Sequence, residues 1–181
     1  MAERQDRGAT LLAIARAAIA RPGEGGVESL WVEVWLCAPG ASFVTLHLDG
    51  ELRGCIGSIE AHRPLGEDVA RNVRAAAYRD PRFPAVGTDE IPRLQMEVSV
   101  LSPREPLHAM SESDALALMR PGIDGICLDY GDLRSTFLPQ VWESLPEPGE
   151  FLGELKRKAG LPRTFWHPDL RLSRYTVDKF R

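Results

Sequence analysis

The chain has 181 residues, 44% of them hydrophobic, which is enough for one sizeable core or two small ones sharing an interface and too little for several large domains. Its 22 basic and 26 acidic residues are interspersed and leave a formal charge of -4, so no stretch marks a phosphate track and nucleic acid is not an expected partner. The apolar run Ala9 to Ala20 is interrupted by Arg16 and too short for a bilayer span; with Glu3 ahead of it and no small-residue cleavage site, a cytoplasmic protein with no membrane partner is expected.

Gly8 to Arg21 places Leu11, Ile14, Ala15, Ala18 and Ile19 on one helical stripe, and Pro22-Gly23 ends it. After a Gly-rich turn at Gly23 to Gly26, the β-branched and aromatic content of Leu30 to Leu36 predicts a strand. Pro39-Gly40 then turns the chain into a hairpin. Phe43 to Leu48 and Leu52 to Gly57 are its strands, and Asp49-Gly50 is its turn. Leu65 to Tyr78 reads as a second amphipathic helix with Leu65, Val69, Val73, Ala76 and Ala77 on one face, stopped by Asp80-Pro81-Arg82-Phe83-Pro84.

Leu94 to Leu101 alternates as a half-buried strand, with Gln95, Glu97 and Ser99 on its polar side. Ser111 and Asp114 form a capping-box pattern for a short helix through Met119, closed by Pro121-Gly122. Ile123 to Leu138 predicts a second hairpin turning near Tyr130-Gly131-Asp132. A third helix follows from Glu150 to Ala159, with Lys156, Arg157 and Lys158 beside its negative end and Gly160 as its stop. Leu172 to Phe180 reads as the final strand.

The segment Gly50-Glu51-Leu52-Arg53-Gly54-Cys55-Ile56 aligns without a gap on Gly131-Asp132-Leu133-Arg134-Ser135-Thr136-Phe137, and each copy precedes a helix and then a strand. Two readings stand: a duplicated hairpin-helix-strand unit, or two hairpin exits drawn from the same small alphabet of turn residues. Under the first, Cys55 corresponds to Thr136 and Arg53 to Arg134, and a pocket between the repeats would receive two guanidinium groups. Either way the expected class is α+β, with a largely antiparallel sheet and packed helices.

Cys37, Cys55 and Cys127 are odd in number and widely spaced, which suits free thiols in a reducing compartment. His47, His62, His108 and His167 lack the spacing of common zinc sites, so neither metal nor other cofactor is expected. Cys55 is the candidate catalytic group. The glycines beside it, Gly54 and Gly57, let a backbone or a ligand approach closely, and Arg53 two residues back would favour the thiolate. Against this, cysteine most often serves as a small buried hydrophobe. Arg53 and Arg134 could bind an anion bidentately, or Arg53 could pair with Glu97. Trp31, Trp35, Trp142 and Trp166 read as packing area, and His167 as an exposed loop residue.

Several blocks together resemble the AMMECR-type domain family, that of the AMME-syndrome candidate-gene protein, whose bacterial and archaeal members are called protein A of the AmmeMemoRadiSam system. They are Phe43-Val44-Thr45-Leu46 running into Leu52-Arg53-Gly54-Cys55-Ile56-Gly57, then Asp80-Pro81-Arg82-Phe83-Pro84, Glu97-Val98-Ser99-Val100-Leu101, Thr136-Phe137-Leu138-Pro139-Gln140-Val141 and Lys158-Ala159-Gly160-Leu161-Pro162. The resemblance spans about residues 8 to 180. It implies one α+β domain of two unequal subdomains sharing a cleft, with the hexamer around Cys55 as functional motif. The expected ligand groups are then Arg53, Gly54, Gly57, Glu97, Arg134, Thr136 and Gln140, acting on a small metabolite or protein segment. It also implies partners: a Memo-like protein and a radical S-adenosylmethionine protein. The alternative is a non-catalytic adaptor in which the hairpin is structural. This chain departs from the family pattern at Ser135, where glycine is common, and in the apolar run Trp31 to Leu36.

Overall fold

The structure is a computed structural model that describes residues 2–20 and 31–181. The turn expected at Gly23 to Gly26, the helix stop at Pro22-Gly23 and the position of Leu30 lie outside the described residues. The chain divides into two compact units, one running up to Leu101 and regaining Asp178–Arg181, the other Ser102–Val177. Each is α+β. Among the described residues no helix is long and apolar enough to cross a membrane.

In the first unit, helix α1 (Ala2–Ile19) is followed by a short helical turn, α2 (Val34–Cys37), then strands β1 (Pro39–Leu48), β2 (Glu51–Gly57) and β3 (Arg63–Pro64), helix α3 (Leu65–Tyr78) and strand β4 (Gln95–Leu101). The predicted strand over 30–36 is therefore corrected to a helical turn. Val32 and Val34 are 85% exposed there, and with no strand paired to them among the described residues their β preference goes unused. The sheet order is β2-β1-β4-β9, with β3 also on β1; β9 is Val177–Phe180. The expected stripe of α1, Leu11, Ile14, Ala15, Ala18 and Ile19, is fully buried. It joins Val69, Val73, Ala76 and Ala77 of α3 against Val44, Leu46, Met96 and Val98 of the sheet.

The second unit contains β5 (Glu105–Leu107), α4 (Glu112–Leu118), β6 (Gly125–Tyr130), β7 (Leu133–Phe137), α5 (Pro148–Lys158) and β8 (Arg171–Tyr175), with sheet order β5-β8-β6-β7. The predicted last strand is thus two strands, β8 in this sheet and β9 in the other, broken at Thr176. There Ser102 N–H donates to the Thr176 carbonyl and Thr176 N–H to Ser102 Oγ, both at 2.9 Å. The capping box at Ser111 and Asp114 forms as expected.

The two units repeat one topology. A hairpin (β1–β2, or β6–β7) leads into a helix (α3, or α5) and then a strand (β4, or β8) that pairs antiparallel with the first strand of the hairpin. This is the duplicated unit that the aligned heptads suggested. The copies differ by one residue at the turn, and a bulge at Arg53 in β2 absorbs it: Leu46 faces Gly54 while His47 faces Leu52.

Lys156, Arg157 and Lys158 stand in the last turn of α5 as expected, and Lys156 is wholly enclosed there. Its Nζ donates to Glu112 Oε1 at 2.8 Å and to the Arg163 carbonyl at 3.1 Å, fastening α4 and the 161–166 segment to α5. Lys156→Ala is expected to cost about 3 kcal/mol, because a buried pair is broken and a cavity opens, whereas Lys156→Met keeps the volume and should cost less than half as much. Urea midpoints of the two variants check this. Equal losses would mean that the ammonium, not the stem, carries the contribution.

Candidate functional site

The site is built on one row across the first sheet. Thr45 in β1 pairs with Cys55 in β2 on one side and with Glu97 in β4 on the other. Side chains alternate along a strand, and Val44, Leu46, Met96 and Val98 face the helices, so Cys55, Thr45 and Glu97 share the opposite face. Thr45 Oγ1 donates to Cys55 Sγ at 3.4 Å. Phe43 and His47 lie on the same face two residues to either side of Thr45, His47 opposite Leu52 beyond the bulge.

The outer edge of β2 is occupied. Cys55 N–H donates to Asp80 Oδ2 at 2.9 Å, and Arg82 Nη2 donates to the Cys55 carbonyl at 3.1 Å. Because these backbone groups point away from β1, Thr45 and Cys55 form a non-hydrogen-bonded pair, the kind in which opposite side chains come closest. Asp80 also accepts from Arg82 Nε at 2.9 Å, from Arg82 Nη2 at 2.7 Å and from Arg82 N–H at 3.1 Å. These contacts, the Arg82 guanidinium foremost, hold the buried carboxyl well below the usual carboxylate range despite desolvation. Asp80 in turn raises the pKa of Arg82, with a smaller contribution from Cys55.

Arg53 does not serve as the cation beside the thiol. The bulge re-aims it: Nε and Nη2 donate to Glu90 at 2.9 Å each, Nη1 to the Pro84 carbonyl at 2.8 Å and Nη2 to the Ala85 carbonyl at 3.2 Å. Arg53, and secondarily the Gly87 N–H, lowers the Glu90 pKa to about 2. The expected Arg53–Glu97 pair is corrected accordingly. Glu97 accepts instead from Arg181 Nε, and Glu97 and Ser99 are buried rather than on a solvated face.

The glycines have a packing role. A Cβ on Gly54 would lie 2.1 Å from the Ala76 carbonyl oxygen of α3, and one on Gly57 would lie 2.2 Å from the Phe43 ring. The close approach that the sequence predicted is made by a helix backbone and a ring. In the second unit Ser135, the counterpart of Gly54, donates its hydroxyl to the Leu155 carbonyl of α5 at 2.8 Å, so the same contact is made one hydroxyl further out.

The counterpart row runs Thr136 in β7, Cys127 in β6 and Ser173 in β8, with cysteine and threonine exchanged relative to the first unit. Cys127 Sγ donates to Thr136 Oγ1 at 3.3 Å, and Thr136 Oγ1 lies 3.1 Å from the Tyr175 hydroxyl. Gly125 leaves room for the Tyr175 ring to cross the sheet. Burial pushes the Cys127 thiol pKa up and that of Tyr175 up to about 12. Cys127 is buried in this row, whereas Cys55 is partly exposed in its own. Arg134 pairs with Asp129 at 3.2 Å within its own hairpin, and Gln140 is exposed on the 3₁₀ turn Pro139–Glu143. His167 accepts from Asp169 N–H at 3.1 Å. Among the described residues no three His, Cys, Asp or Glu side chains cluster closely enough to hold a metal.

Of the groups singled out in the sequence, Cys55 and Glu97 share a row. Thr45, Asp80 and Arg82 were missed as site residues. The acid and base flanking Pro81 were the available signal, since such a pair after a helix stop reads equally as a clamp.

The AMMECR1 family model matches residues 12–180. A protein of Methanothermobacter thermautotrophicus is 38% identical over 186 residues, covering 97% of this chain and 94% of its own. A Thermotoga maritima protein is 38% identical over 156 residues, covering 85% and 84%. The crystal structure of an uncharacterised Pyrococcus horikoshii protein superposes with a TM-score of 0.77 at 30% identity, over 97% of this chain and 91% of that one. With its repeated hairpin units and these matches along nearly its whole length, the chain belongs to the AMMECR1 family.

Proposed function

We propose that this AMMECR1-family protein binds a small metabolite or a protein segment on the sheet face that carries Cys55, and acts on it through the thiol. One observation carries the reading: Cys55 is only partly buried while its sulfur is held by the Thr45 hydroxyl and its backbone is clamped by Asp80 and Arg82. Preorganised access of this kind suits a nucleophile. The free thiols support a reducing, cytoplasmic setting. The family resemblance supports a place beside a Memo-like and a radical S-adenosylmethionine protein.

Alkylation by iodoacetamide is the test, with Cys55 sulfur displacing iodide and the thiol proton passing to buffer. Cys55 is expected to react faster than N-acetylcysteine. Cys55→Ser should cut pathway output by about tenfold or more, the size expected when a nucleophile is removed. A second reading has its own support, since Gly54 and Gly57 already serve packing: the hairpin is a structural part of an adaptor for those partners. In that case Cys55 reacts no faster than the free thiol and Cys55→Ser leaves output intact.

A further inference from the structure

Two arginines of the first unit lie along β2, and they are spent differently. Arg53 uses all three guanidinium nitrogens on Glu90, Pro84 and Ala85, and its side chain is 12% exposed. Arg82 commits Nε and Nη2 to Asp80 and to the Cys55 carbonyl and lies over the Phe83 ring, while its Nη1 makes no hydrogen bond or ion pair among the described residues and its side chain is 54% exposed. Asp80 occupies one edge of the guanidinium bidentately and so fixes its plane. The unspent nitrogen is therefore a rigidly held, charged donor beside a cysteine that is only partly buried, and the Thr45 hydroxyl sits on the sulfur from the neighbouring strand.

We infer that Arg82 anchors the ligand of this site, and that the ligand is a small carboxylate with a leaving group on the neighbouring carbon: the Cys55 sulfur bonds to that carbon, the leaving group departs with the bonding pair and the thiol proton passes to solvent. This rests on the reading of Cys55 as a nucleophile and adds the chemical class of what it meets. Arg53 and Arg134, the anion binders expected from the sequence, are not required. A guanidinium recognises a carboxylate by charge and by directed N–H donors, and a neutral isostere forfeits both.

Two reagents of nearly equal size separate the cases. In each, the Cys55 sulfur forms a carbon–sulfur bond, iodide leaves with the bonding pair and the thiol proton goes to buffer. Iodoacetate carries the carboxylate and iodoacetamide does not. Cys37 is exposed and free, so the same molecule supplies a control that feels the net charge of -4. Rates at each cysteine, read by peptide mass mapping, are expected to give Cys55 an iodoacetate-to-iodoacetamide ratio about fivefold above that of Cys37, as for a single exposed charge-assisted contact. The excess should shrink as salt is raised from low ionic strength toward 1 M.

Arg82→Gln should bring the Cys55 ratio to that of Cys37, and Arg82→Lys should retain part of the excess. Circular dichroism of both variants checks that the fold is kept. Equal ratios at Cys55 and Cys37 in the unaltered protein, or an excess that survives Arg82→Gln, would overturn the anchoring role while leaving the nucleophile in place. A Cys55 inert to both reagents would remove the nucleophile itself.

Discussion

Gly54→Ala is expected to destabilise the protein by about 3 kcal/mol, at the upper end of what a single added methyl does in a packed interior. The added Cβ would stand 2.1 Å from the Ala76 carbonyl oxygen, and a helix backbone cannot give way as the tip of a flexible side chain can. Either α3 lifts from β2, opening the core at Val73 and Ala77, or β2 shifts and breaks the register with Thr45. Ser135→Ala, at the counterpart position, is expected to cost only about 1 kcal/mol, because it removes one hydrogen bond to the Leu155 carbonyl and adds no atom. Chemical denaturation of the two variants gives the comparison directly. A Gly54→Ala protein as stable as the parent would mean that α3 does not press on β2, and the packing explanation of the motif would fail.

Asp80 carries the second large effect. Its carboxylate accepts from the Cys55 N–H and from three nitrogens of Arg82, and the side chain is 2% exposed. Asp80→Ala leaves those donors without an acceptor and is expected to cost about 3 kcal/mol; Asp80→Asn, which keeps the shape but turns a donor toward other donors, about 2 kcal/mol. Both should also loosen the edge of β2 and raise hydrogen exchange at Cys55.

The pH dependence has a definite sign. Arg82 first, then the backbone donors, depress the folded-state pKa of Asp80 below its unfolded value. The stabilisation is therefore complete above the unfolded pKa of about 4 and is lost as pH falls through that value toward the folded one. Glu90, at about 2 through Arg53, contributes in the same window. The stability gap between the parent protein and Asp80→Asn should be constant from neutral pH to about pH 5 and close below about pH 4. A gap that persisted unchanged to pH 2 would show that ionisation of Asp80 is not its source.

These two effects mark where sequence reading stops. Elements whose pattern is local were legible. The period of Leu65 to Tyr78, the Asp49-Gly50 turn and the Ser111–Asp114 box each encode their structure within a few residues, and the elements form as expected. The repeated unit was legible too, because two aligned heptads precede the same succession of helix and strand. Trp31 to Leu36 misled because β propensity expresses a fit to a sheet surface, and among the described residues no strand pairs with that segment.

By itself the sequence determined the α+β class, the hairpin carrying Cys55 and the family blocks, all of which follow from periodicity and from residues adjacent in the chain. Only the tertiary structure decided which charges meet. Arg53 turns to Glu90 because one extra residue bulges β2, Arg82 reaches Cys55 across 27 positions, and Lys156 is enclosed because α4 and the 161–166 segment close over it. Side-chain partnership is set by which surfaces fold together, and that distance is invisible along the chain.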